Sequence, residues 1–276
     1  MTPLPPGLRL GSSSWSAPSW EGAFYPAGID SSATLGFYAR EFDTVEIDAT
    51  FYRLPTVKMV EAWRDRTPPG FLFAAKIPQV ITHEKILESC GEELGSFLRV
   101  MESLGDRLGP LLFQFRYFRK DEFPVPGPFL ERLERFLPAL PSGMRFAVEV
   151  RNRSFVTERL LDLLRRHRVA LVLLDHPWFY RVDQLLKKPG VLTAEFCYVR
   201  WLGDRRAIEA KTTRWDMLIV DRSKQMQGWI EALRPIAASR PVLGYFNNHY
   251  AGYAIGSIRR FREMWGEGAG GSSPAL

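Results

Sequence analysis

The chain has 276 residues, 46% of them hydrophobic and 25% charged, with a formal net charge of +6. That is enough apolar material for one large core, and two cysteines, Cys90 and Cys197, exclude a disulfide framework and show no metal-type spacing. No stretch reaches the roughly 18 uninterrupted apolar residues of a membrane span, and the first ten residues hold three prolines in place of a signal-peptide apolar run.

These features lead us to expect a cytoplasmic protein with no membrane partner. The positive charge favours anionic partners, either nucleic acid or small phosphorylated or carboxylated molecules, and leaves the oligomeric state open.

Short apolar runs alternate with longer amphipathic stretches along the chain. Strand one, Leu8 to Ser14, precedes a helix over 31–41; strand two, Thr44 to Asp48, precedes 57–66. Phe71 to Lys76 precedes 90–106, Leu111 to Gln114 precedes 127–138, and Phe146 to Val150 precedes 155–166. Ala170 to Leu174 precedes 178–188, Ala194 to Arg200 precedes 222–238, and Val242 to Phe246 precedes 250–264. Eight such units close a barrel of about 250 residues, so the pattern predicts a single α/β domain, a (β/α)8 TIM-type barrel over 1–265, and a flexible Gly/Ser-rich tail over 266–276. The connections Ile77 to Leu87 and Leu202 to Asp221 exceed the usual 2–6 residue link and read as functional loops.

A parallel strand buried on both faces should read as continuous Val, Ile and Leu, yet several of these strands end in charge or amide. In a barrel that end is the catalytic rim. Glu46 and Asp48 end strand two, Lys76 strand three, Gln114 strand four, Glu149 with Arg151 strand five, Asp175 strand six, Arg200 strand seven, and Asn247 with Asn248 strand eight. Alternation puts Glu46 and Asp48 on one face, and Ala147, Glu149 and Arg151 on one face.

Glu149, Glu46, His83 and Asp48 are the candidate acid/base groups. Lys76, Gln114, Arg151, Asp175, Arg200, Asn247 and Asn248 are candidate ligand contacts, joined by Trp15 and Tyr52 as stacking surfaces for a sugar or base. The structural alternative is a charge-compensated network in which Glu149 pairs with Arg151 or Arg200. Trp20 and Phe24 read as a hydrophobic cap. His83, His176 and His249 lie in or beside rim loops without a recognised ligand spacing, so a divalent metal is a minor alternative and no cofactor is expected. No glycine-rich phosphate loop or Gly-x-Ser-x-Gly elbow is present.

At these residues the chain resembles the YecE-like family, domain of unknown function 72. The resemblance rests on Gly11-Ser12-Ser13-Ser14-Trp15 with Trp20 and Phe24-Tyr25-Pro26, on Thr44 to Arg53, and on Phe71 to Lys76 with Thr82-His83. It continues through Leu112 to Phe115, Ala147 to Asn152, Tyr198-Val199-Arg200 and Tyr245 to Asn248. It implies a barrel without an established reaction. Where the family commonly has Asn this chain has Asp48, where it is Pro-rich the chain has Arg116-Tyr117, and the family's His-Gly pair after the strand-seven arginine is Leu202-Gly203.

The leading expectation is an enzyme of hydrolase or lyase/isomerase type acting on a small anionic or sugar-like substrate at the rim. The alternatives are a nucleic-acid-binding protein or metal-dependent nuclease on a barrel scaffold, and a non-catalytic small-ligand binding protein. Barrel glycosidases usually place carboxylates on strands four and seven, where this chain has Gln114 and Arg200.

Overall fold

Eight parallel strands form one sheet in the order β1-β8-β7-β6-β5-β4-β3-β2, which curls until its two edges meet. They are β1 (Leu8–Ser12), β2 (Thr44–Ile47), β3 (Leu72–Lys76), β4 (Leu108–Gln114), β5 (Phe146–Glu149), β6 (Ala170–Asp175), β7 (Cys197–Trp201) and β8 (Val242–Phe246). The computed structural model describes residues 4–267. Around the sheet lie α1 (Thr34–Tyr38), α2 (Val57–Asp65), α3 (Gly91–Met101), α4 (Gly127–Phe136), α5 (Glu158–Arg166), α6 (Val182–Leu185), α7 (Arg205–Glu209), α8 (Ser223–Ser239) and α9 (Ala254–Glu267). This is a TIM-type barrel, and no described helix is long and apolar enough to cross a membrane.

Local chemistry sets the helix starts. The Thr56 hydroxyl accepts from the Met59 amide at the head of α2, and the Thr157 hydroxyl accepts from Leu160 at the head of α5, so α5 begins at Glu158 and not at 155. Its Leu160, Leu161, Leu163 and Leu164 are buried against the sheet. The long connection after β7 contains α7, started by the Asp204 carboxylate accepting from the Ala207 amide. After β3 the chain makes a wide helical turn at Val80–Glu84, and Ile86, Leu87 and Ser89 then take positive φ of 46°, 69° and 46°. Helix α9 runs to Glu267, two residues into the expected tail; 268–276 lie outside the described residues.

Two cores result. One fills the space between sheet and helices; the other fills the barrel, with Ala74, Leu112, Ala147, Val172, Tyr198, Leu243 and Tyr245 facing inward. Because parallel neighbours in register share a face, Thr44, Glu46, Lys76, Gln114, Glu149 and Arg200 also point inward, and Trp201 points out to the helices.

The joint between β1 and β2 differs from the other seven, each of which carries a parallel ladder. Here the Tyr38 hydroxyl, at the end of α1, accepts from the Ser12 amide at 2.9 Å and donates to the Thr44 carbonyl at 3.3 Å. Gly11 permits the approach, since a Cβ there would overlap the Thr44 carbonyl oxygen. Thr44 Oγ1 in turn donates to the Leu72 carbonyl at 2.8 Å and accepts from the Tyr245 hydroxyl at 2.9 Å.

Candidate functional site

Four charged side chains at the C-terminal end of the barrel form one connected frame. Arg200 spans the interior, with Nη2 2.8 Å from Glu46 Oε1 and Nη1 2.6 Å from Glu149 Oε2. The Tyr198 hydroxyl donates to Glu46 Oε2 at 2.6 Å, and Arg151 Nε donates to Glu149 Oε1 at 2.5 Å. One guanidinium therefore ties β2 and β5 to β7, and every carboxylate oxygen of both glutamates is engaged.

The electrostatics follow from burial and pairing. Burial alone would push Glu149 up, but Arg200 and Arg151 overcome it and hold the carboxyl at about 2. Glu149 is thus a fixed anion at neutral pH with no proton to give. Burial and the adjacent Glu46 push the Tyr198 phenol well up, so it remains a donor.

A second group sits beside this frame. Lys76 Nζ lies 2.9 Å from Asp48 Oδ1 and 4.1 Å over the centre of the Phe51 ring. The His83 ring meets Phe51 edge-on at 4.8 Å, and its Nδ1 is 2.9 Å from Thr82 Oγ1. Burial, then the cations Lys76, Arg116 and Arg151, pull His83 down to about 4, leaving a neutral imidazole at the mouth. Arg116 is itself closed off by Glu122, whose oxygens lie 2.7 and 2.6 Å from its terminal nitrogens. Among the described residues the terminal nitrogens of Arg151 make no hydrogen bond; its side chain is 25% exposed.

Gln114 pairs in register with Glu149, and its amide donates to the Phe115 carbonyl at 2.8 Å. Asn247 and Asn248 shape the chain beyond β8: Asn247 Oδ1 accepts from the His249 amide at 3.0 Å and contacts its Nδ1 at 2.6 Å, and Asn248 Oδ1 accepts from the Ala254 amide at 3.0 Å. Trp15 packs edge-on to Trp63 at 5.6 Å, and Tyr52 is 69% exposed, outside the buried frame.

Asp175 does not join the mouth. It shares the register of Trp201 and faces the helices, where its Oδ2 accepts from Trp229 Nε1 at 2.6 Å, and burial raises its pKa. Trp201, the aromatic that ends β7, is not at the mouth; it stacks on Phe246 at 4.1 Å outside the barrel. Trp20 and Phe24 are buried in the aromatic cluster over α1.

Of the other histidines, His176 Nδ1 accepts from the Trp178 amide at 3.4 Å and His249 Nε2 lies 3.2 Å from Glu209. Among the described residues no three His, Cys, Asp or Glu side chains gather as a metal site. Two participants, Tyr198 and Ser13, were not singled out from the sequence; Phe51, one of the aromatics that follow strand two, is the plate between Lys76 and His83. Ser13 shares the inward parity of Gly11 and has a buried hydroxyl without a hydrogen-bond partner among the described residues. Tyr198 could have been found from its spacing of two before Arg200, which gives both the same face.

Comparison with known proteins bears on the fold and the family. The Escherichia coli K12 protein described as UPF0759 protein YecE is 33% identical over 216 residues, 71% of this chain and 74% of that protein. The crystal structure of a DUF72 family protein from Thermotoga maritima MSB8 is 26% identical with a TM-score of 0.73, covering 93% of this chain and 98% of that one. A DUF72 family protein from Enterococcus faecalis V583, at 22% identity and a TM-score of 0.66 over 94% and 97% of the two chains, shares the fold. Residues 9–275 match the family described as Protein of unknown function DUF72, and the chain belongs to that YecE-like family.

Proposed function

We propose that the mouth binds a small organic anion and moves a proton on it, with His83 as the acid/base group. The observation that carries this reading is Arg151, whose Nε is held by Glu149 while its terminal nitrogens make no hydrogen bond among the described residues, with Lys76, held by Asp48, as a second cation acting on His83. Burial leads the depression of His83 and the neighbouring cations add to it; a carboxylate or phosphate group on Arg151 and Lys76 would offset the cationic part, so ligand binding itself would raise the imidazole's pKa from about 4 toward neutral pH and make it a stronger base. With Nδ1 beside Thr82, Nε2 is the nitrogen left for the substrate.

Proton abstraction next to a carbonyl, or hydrolysis, fits these parts. The charge that develops on the substrate oxygen would be met by Lys76 or Arg151 in a site of low solvent access. Glu46, Glu149 and Asp48 act here by holding Arg200, Arg151 and Lys76 in place, which replaces direct proton transfer by Glu149. A glycosidase pair is disfavoured because one guanidinium bridges both glutamates. The specific support for a nucleic-acid ligand is exposure of Tyr52, Tyr117 and Trp178 on rim loops, at 69%, 64% and 69%; binding that weakens steeply with salt would favour it.

The test is an NMR titration of the His83 ring, free and with a panel of hydroxycarboxylates and sugar phosphates. A pKa near 4 in the free protein that rises by one unit or more with a bound anion supports the proposal. A free value near 6.5, or no response to any anion that binds, would refute it.

A further inference from the structure

At the end of the barrel opposite the mouth, a cleft of about 380 Å³ lies between the C-terminal turn of α5, the segment entering β7 and the turn from α8 to β8. Three arginines border it, Arg165 and Arg168 from the end of α5 and its turn and Arg240 from the turn into β8, and Glu195 is the one acidic residue in its lining. We propose that this cleft is a second anion site, built to hold an oligophosphate such as a nucleoside di- or triphosphate.

Two of the arginines are held in place. Arg165 Nη1 binds Asp162 Oδ1 at 2.6 Å and its Nη2 donates to the Gly190 carbonyl at 3.1 Å; Gly190 has φ +70° and a Cβ there would overlap the guanidinium. Arg240 Nη1 donates to the Ala194 carbonyl at 2.7 Å, and its buried Nε has no hydrogen-bond partner among the described residues.

The third arginine occupies a costly backbone position. Arg168 closes α5 with φ +55°, its amide donating to the Arg165 carbonyl at 3.1 Å while the Val169 amide donates to Leu164 at 2.9 Å. Glycine or asparagine is the usual residue at such a left-handed helix terminus, and a residue with a longer side chain is strained there. The Arg168 side chain makes no hydrogen bond or ion pair among the described residues. A strained backbone that holds an unpaired guanidinium beside two anchored ones is better explained by a ligand than by stability.

The chemistry narrows the ligand. Guanidinium forks match phosphate oxygens two at a time; Arg168 offers a whole fork, and Arg165 and Arg240 add the N–H groups that Asp162, Gly190 and Ala194 leave, together more than one carboxylate can accept. The cleft is also an order of magnitude larger than the roughly 30 Å³ share of one water, leaving room for a second phosphate and for an organic part against Leu192. The segments it would join, Val169 into β6 and Ala194 toward β7, lead to two neighbouring strands, of which β7 carries Arg200 and β6 pairs with it in register. Occupancy would therefore stabilise the frame at the other end without touching it.

The experiment measures inorganic pyrophosphate binding by calorimetry and thermal unfolding, at ionic strength held constant with sodium chloride, on the full chain and on Arg168→Gly. Hydrogen exchange with and without pyrophosphate locates the site. The proposal expects pyrophosphate to raise the melting temperature beyond the chloride control and to protect 164–169 and 192–195. It expects Arg168→Gly to bind pyrophosphate at least tenfold more weakly, while the free variant melts no lower than the parent because glycine relieves the backbone. Pyrophosphate without effect on the parent, unchanged affinity in Arg168→Gly, or protection confined to 76–83 at the mouth would each overturn it.

Discussion

Replacing Arg200 by methionine removes the one cation that Glu46 and Glu149 share. All three side chains are at most 4% exposed and the two contacts are 2.8 and 2.6 Å, so the substitution leaves two buried carboxylates facing each other across the barrel. Breaking a buried pair costs about 3–5 kcal/mol. The lowering of Glu149 from 4.5 to about 2 corresponds independently to roughly 3 kcal/mol of ion stabilisation, part of it from Arg151.

Arg200→Met should therefore lose about 3–5 kcal/mol in urea denaturation at pH 7, and the triple variant Glu46→Gln, Glu149→Gln, Arg200→Met should recover at least half of that. In the parent, the Glu149 contribution is complete above its ordinary value of 4.5 and disappears as pH falls from there toward 2, the direction required for a depressed acid. A loss below about 1 kcal/mol in the single variant, or a triple variant as unstable as the single, would refute the buried-frame argument.

Two further outcomes test the packing around the barrel. Asp175, whose pKa is raised by burial, costs stability as pH rises above its ordinary 3.8, so Asp175→Asn, which keeps an acceptor for Trp229, should gain melting temperature relative to the parent, more at pH 8 than at pH 4; a variant less stable at both values would contradict this. At the β1–β2 joint, Tyr38→Phe leaves the buried Ser12 amide without its acceptor and should cost about 1–3 kcal/mol. Gly11→Ala forces the strands apart there and should cost about 3 kcal/mol; chemical denaturation showing both changes to be neutral would remove the joint's assigned role.

The barrel was legible because each strand announces itself twice, by a short apolar run and by the polar residue that ends it. Val242 to Phe246 was placed to the residue, and the polar ends Glu46, Lys76, Gln114, Glu149 and Arg200 do lie on the inner face. What the pattern could not show was parity in a strand apolar on both sides. Ala170 to Leu174 offers no polar alternation, so Asp175 looked like its neighbours at the rim although it lies one step out of phase with Leu174, the in-register partner of Arg200.

The site's internal roles were hidden for a different reason. That Arg200 would reach both Glu46 and Glu149 depends on how far three strands lean across the barrel, and sequence spacing holds no such distance. Phe51 follows strand two in the sequence beside Tyr52, but its use as a plate between a cation and an imidazole depends on the path of the turn after β2. The three-arginine cleft is not visible in the sequence because Arg240, just past α8, stands 72 positions after Arg168 and 75 after Arg165, and only folding brings it to them.

The joint closed by Tyr38 gives the barrel the mechanics of a rolled sheet with a latch. Seven ladders would survive if that phenol let go, and the amides facing each other across β1 and β2 would be the first in the sheet to meet solvent. Opening there would proceed like unbuttoning a cuff, from Ser12 and Thr44 outward, while the Arg200 frame kept β2, β5 and β7 together.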